Sequence, residues 1–86
     1  MQENMTQEQI ESTVSAARDS VWVINDEIAK LANNMPWNDE RRGNIERNVA
    51  HLEIVMSNTQ ISDSGLDLSD LTAAIAAGKQ ELTSRQ

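Results

Sequence analysis

Seven apolar residues, Ile10, Val14, Ala17, Val21, Ile24, Ile28 and Leu31, recur at alternating spacings of four and three. That is a heptad seam, and it commits the segment to a long helix whose apolar stripe is buried lengthwise against other helices. The signals at its two ends agree. Thr6 can cap the first turn, Gln9 can cap back, and Met5 and Ile10 can close over the turn as a hydrophobic staple. Asn33 and Asn34 suit a helix end, and Pro36 forces Met35 into an extended conformation. The first helix is therefore expected over residues 7–33.

The turn NNMPWN is tight, so the next helix should return antiparallel. It is expected over 38–57, capped by Asn38, with Asp39 and Glu40 in the first turn, where the helix dipole favours negative charge. Its seam is Ile45, Val49, Leu52 and Met56, which lies layer by layer against Ile28, Ile24, Val21 and Ala17. Val14 and Ile10 overhang that match. The polar stretch SNTQISDSGL reads as a loop that carries Ile61 and Leu66 back over them. A third helix is expected over 69–83, capped by Asp67 or Ser69, with Leu68, Leu71, Ile75, Gly78 and Leu82 inward. The predicted fold is an all-α, single-domain, up-down-up three-helix bundle, with a polar lead (MQENM) and a frayed tail from Thr83. Gly78 either loosens the third helix or lets it approach its neighbours closely. The loop before that helix is long enough for it to pack in its own bundle or swap into a neighbour's.

A chain of 86 residues has a thin core, so self-association, most simply as a homodimer, is a natural way to bury more surface. The absence of cysteine excludes disulfides, thiol chemistry and cysteine-held metals. No apolar run approaches the length of a membrane span and no signal-peptide order opens the chain, which points to the cytoplasm. Fourteen acidic residues against seven basic ones give a net charge of −7. That charge opposes direct binding to nucleic acid and favours a basic partner, with nucleic-acid mimicry as the extreme form. It also serves solubility alone.

Trp22 and Val23 lie off the first seam, and Ile54 lies off the second. Set at similar heights in the antiparallel register, they suggest a second apolar surface, an interface band, unless the third helix covers them. Trp37, Arg41, Arg42 and Arg47 are the one basic concentration, at the hairpin tip. Arg41 could stack on Trp37 there, and Trp37, Arg41 and Arg42 could grip an acidic or phosphate-bearing partner, or simply seal the core top with a solvated rim. His51, the sole histidine, is expected at the surface and lacks the companions of a metal site. Asp63, Asp67 and Asp70 do not have calcium-loop spacing. No catalytic residue, cofactor or metal ligand is assigned, because the inward positions are apolar and the glutamates lie on polar faces.

The function expected is non-enzymatic: a small acidic protein-interaction module, an inhibitor or adaptor of the kind phages and mobile elements encode, docking on a larger protein. The competing reading is a structural part, such as a phage morphogenesis or scaffold component, that acts through helical oligomerisation.

Overall fold

The computed structural model describes residues 4–85, which form four helices: α1 Gln7–Ala32, α2 Asp39–Ser57, α3 Thr59–Ser62 and α4 Ser69–Ser84. Most of the expected lead and the last residue of the expected tail lie outside the described residues.

The start of α1 is the capping box read from the sequence. Thr6 Oγ1 accepts from the Gln9 amide at 3.1 Å, and Gln9 Oε1 accepts from the Thr6 amide at 2.9 Å. Two amides that have no partner inside the helix are thus satisfied. Met5 packs half-buried against the core. The far end closes one residue early, because Asn34 turns left-handed at φ 69°. The Asn34 amide donates to Leu31 O at 3.1 Å and the Met35 amide to Lys30 O at 3.0 Å. These crossed bonds are a Schellman motif, with asparagine taking the place glycine usually holds.

In α2, Asn38 Oδ1 accepts from the Arg41 amide at 2.8 Å, the expected cap. The segment expected as a loop holds a one-turn helix instead. Asn58 both ends α2 and starts α3, its amide donating to Val55 O while its side chain accepts from the Gln60 amide at 2.9 Å. A single turn is too short to show a helical period, and its purpose is to bury Ile61, which is 1% exposed. At α4 the cap position is Leu68, whose side chain cannot accept. Asp67 serves from one residue further out, its Oδ1 accepting from both the Ser69 amide (3.0 Å) and hydroxyl (2.7 Å). The helix runs on to Ser84 through the stretch expected to fray, where Arg85 Nε bonds Glu81 Oε2 at 2.7 Å.

One core runs the length of the molecule, whose extents are 46 × 22 × 17 Å. Ile10, Val14, Ala17, Val21, Ile24 and Leu31 from α1 meet Ile45, Val49 and Leu52 from α2, and Leu68 and Leu71 from the last segment. Ile28, Met56, Leu66, Ile75 and Leu82 pack at its edge. Val55 and Ala74, outside the expected seams, are buried. Each helix here packs against at least two others, which widens its buried stripe beyond a strict heptad line. Contacts between α1 and α2 run in opposite chain order, Glu27 meeting Arg41, Ser20 meeting His51 and Met5 meeting Asn58. Those between α1 and α4 run in the same order: Arg18 meets Asp70, and Ile24 faces Gly78. Among the described residues, no helix is long and apolar enough to cross a membrane.

Candidate functional site

Trp22 stands 66% exposed on α1, and Ile54 stands 70% exposed on α2. Both are large apolar groups left in water by a chain with little apolar surface to spare. Val23 is half-buried.

Helical geometry separates these residues. Successive residues turn by about 100°, so Trp22 and Val23 diverge by that angle. Arg18, which reaches Asp70 of α4, and Ser20 with Glu27, which reach His51 and Arg41 of α2, mark the two flanks of α1. Trp22 falls outward on the Arg18 flank and Val23 outward on the Ser20 flank. Ile54 points away from the core on α2, whose buried residues are Ile45, Val49, Leu52 and Val55. The expected single band is in fact two apolar points on different faces, Trp22 on one and Ile54 with Val23 nearer the other. Matching heights along the helices could be read from the sequence, but angular position about the bundle required the place of α4.

The face of α1 that carries Trp22 is acidic. Taking about 100° per residue, Glu8, Glu11, Asp19 and Asp26 all project within about 60° of its direction. Glu8, Glu11 and Asp19 are exposed, and among the described residues no ion pair reaches them. Asp26 pairs with Lys30 at 3.0 Å, which holds the lysine above its ordinary pKa of 10.5, chiefly through that hydrogen bond. Arg18 is the basic residue within the same arc. Its Nε binds Asp70 at 2.9 Å and its Nη2 donates to Asp67 O at 3.0 Å, so its charge is spent on the start of α4.

At the hairpin tip the three candidate residues part company. Arg41 is not presented outward: Nε donates to Glu27 Oε2 at 3.0 Å, Nη1 donates to Pro36 O, and its side chain is 11% exposed. Glu27 is 7% exposed and also faces Lys30 Nζ at 3.5 Å. The guanidinium was expected over Trp37, but burying Glu27 requires a cation, and Arg41 lies closest to it. The cation above Trp37 is Arg85, with Cζ 5.7 Å from the ring centroid, and Trp37 itself packs against the core. Arg42 remains exposed between Asp39 (3.1 Å) and Glu46 (3.6 Å). The polar depression between Glu27, Lys30, Asn38, Glu40, Arg41 and Asn44 is lined by the Glu27–Lys30 and Glu27–Arg41 ion pairs, which answer one another's charge. Sequence reasoning missed Glu27 because an acid flanking a heptad seam looks the same whether it is buried or solvated.

His51 is exposed as expected, but its Nδ1 shares a hydrogen bond of 2.8 Å with the buried Ser20 Oγ. Both residues lie mid-helix, where the amides are committed to the helical ladder. The pair satisfies a polar group at the α1–α2 seam. Among the described residues, no three side chains drawn from His51, the aspartates and the glutamates converge as metal ligands.

The chain matches no family model, no curated protein and no solved structure.

Proposed function

We propose that this chain is a non-enzymatic docking module, an acidic up-down-up three-helix bundle that engages a larger protein through the outer face of α1. An inhibitor or adaptor role is the form of this reading we favour, since either acts by occupying or bridging a surface. The observation that carries it is the 66% exposure of Trp22. Tryptophan is the residue most often found at the energetic centre of protein interfaces, and keeping one in water is a cost with no benefit to folding. The bundle topology is supported by the chain order of the contacts: opposite between α1 and α2, and the same between α1 and α4.

A second reading, an assembly component built through copies of itself, draws on Ile54. Its side chain is 70% exposed on a different face, and two separate apolar points suit a unit with neighbours on two sides. The cytoplasm remains the proposed location.

Light scattering on the native chain and on Trp22→Glu, with circular dichroism to follow folding, tests the two readings. A docking module gives two folded monomers, its Trp22 face free for a foreign protein. A native dimer or larger species that becomes monomeric in Trp22→Glu gives that face to self-association, and the assembly reading replaces the first. An unfolded variant would place Trp22 in the core and end the docking reading.

A further inference from the structure

We infer that the partner of the Trp22 face is a basic protein surface: an apolar pocket for the indole, rimmed by lysine or arginine. The inference rests on the docking reading and adds the chemistry of the partner.

The argument is charge complementarity around an apolar anchor. Glu8, Glu11, Asp19 and Asp26 share the face of Trp22 within about 60°, spread over about 27 Å of helix at 1.5 Å per residue. Asp19 and Asp26 bracket the indole at three residues before and four after, one helical turn to either side. The nearby cations are already spent, Arg18 on Asp67 and Asp70, and Lys30 on Asp26 and Glu27. An acidic or neutral partner would leave this line of carboxylates facing like charge or losing water without return. A second copy of the chain is a poor occupant. Each copy carries −7, and the other exposed large apolar groups among the described residues offer little positive charge in return: Ile54 has Arg47 and His51 on its helix face, and Met35 lies in the turn between α1 and α2. A basic surface answers them and is also drawn in from a distance.

The test uses the full-length ¹⁵N-labelled chain and three amphipathic peptides of about 18 residues, long enough to lie along several turns of α1. They are identical in leucine pattern and carry lysine, glutamine or glutamate on the polar face. Trp22 and Trp37 give two indole N–H signals, assigned with Trp22→Ala. The lysine peptide should move the Trp22 signal and leave that of Trp37 in place. Its apparent Kd should rise about tenfold or more between about 50 and 500 mM salt, as screened charge pairs require. Asp19→Asn with Asp26→Asn should weaken binding several-fold, whereas Glu46→Gln with Glu53→Gln on α2 should not. Equal binding of the glutamine peptide would leave docking at Trp22 standing and overturn the basic partner. The same holds if the α2 substitutions weaken binding as much as those on α1, since the attraction would then be to the chain's net charge. No movement of the Trp22 signal with any peptide overturns the inference. A native dimer that buries Trp22 removes both the inference and the docking reading beneath it.

Discussion

A methyl group built on Gly78 would lie 2.5 Å from Cγ2 of Val49, with Ile45 and Ile24 at 3.4 and 3.5 Å. No real carbon pair sits that close, so α4 approaches α1 and α2 at a distance that only glycine permits. The glycine that reads as a weak point in an isolated helix is here a packing residue. Gly78→Ala gains about 1 kcal/mol of helix propensity and forces an overpacking that costs about 1–3 kcal/mol. The expected outcome is a net loss. Gly43→Ala is the contrast, because its added methyl meets only the flexible end of Arg47, at 3.0 Å, and the variant should gain about 0.5–1 kcal/mol. Urea unfolding of both variants beside the native chain checks the opposite signs.

Among the described residues, Glu27 and Arg41 form the one ion pair in which both side chains are nearly out of water. Removing a single member strands the other, so Glu27→Ala should cost about 3 kcal/mol, a large share of the stability of so small a domain. Replacing both by apolar residues of similar length, Glu27→Leu with Arg41→Met, should come close to the native stability or exceed it. The measurement is the denaturation midpoint of the single and double variants. A double variant as unstable as the single one would mean that the pair holds the hairpin tip in a way its burial does not explain.

The helices were legible in the sequence because their signals are local. The heptad run from Ile10 to Leu31, the Thr6–Gln9 box, the Asn38 cap and the Pro36 break each depend on residues within a few positions of one another. What escaped depends on distance in the chain. The burial of Glu27 is set by Arg41, and which of the two roles open to Gly78 holds, a loosened helix or a close approach, is set by Val49. The face that Trp22 occupies is set by where Arg18 meets Asp70. The one-turn helix at Thr59–Ser62 escaped for a different reason, since four residues cannot display a period. Of the candidate site, the exposed anchor was legible and its neighbours about the bundle axis were not.

Trp22 and Ile24 are two residues apart in the chain, 66% and 0% exposed. Trp22→Ser should change stability by no more than about 0.5 kcal/mol, the usual range for a surface position, and so should Ile54→Ser. Ile24→Ala should cost about 2–5 kcal/mol through lost burial and a residual cavity. Thermal unfolding of the three variants checks the ranking. A Trp22→Ser variant that falls near Ile24→Ala would mean that the indole is held by the fold and is not free for a partner.

Acid and alkali should act on different charged groups of this molecule. The Ser69 hydroxyl and then its amide, with the charge of Arg18 behind them, hold the Asp67 carboxyl below its ordinary pKa of 3.8. A depressed carboxylate contributes stability that is present above its unfolded pKa and lost as pH falls through the folded one. Lys30, raised above 10.5 by Asp26, works the other way: its contribution is present below the unfolded pKa and lost as pH rises through the folded one. Both groups lie at the surface, so each effect should be modest and should shrink in high salt. Melting temperatures of the native chain, Asp67→Ala and Lys30→Met across the pH range separate the two. Asp67→Ala should lie below the native chain at neutral pH and converge on it as pH falls through the depressed pKa of the folded carboxyl, on the acid side of 3.8. Lys30→Met should converge only on the alkaline side. An Asp67→Ala deficit that persists unchanged at low pH would show that the residue acts through its shape in the turn before α4 and not through its charge.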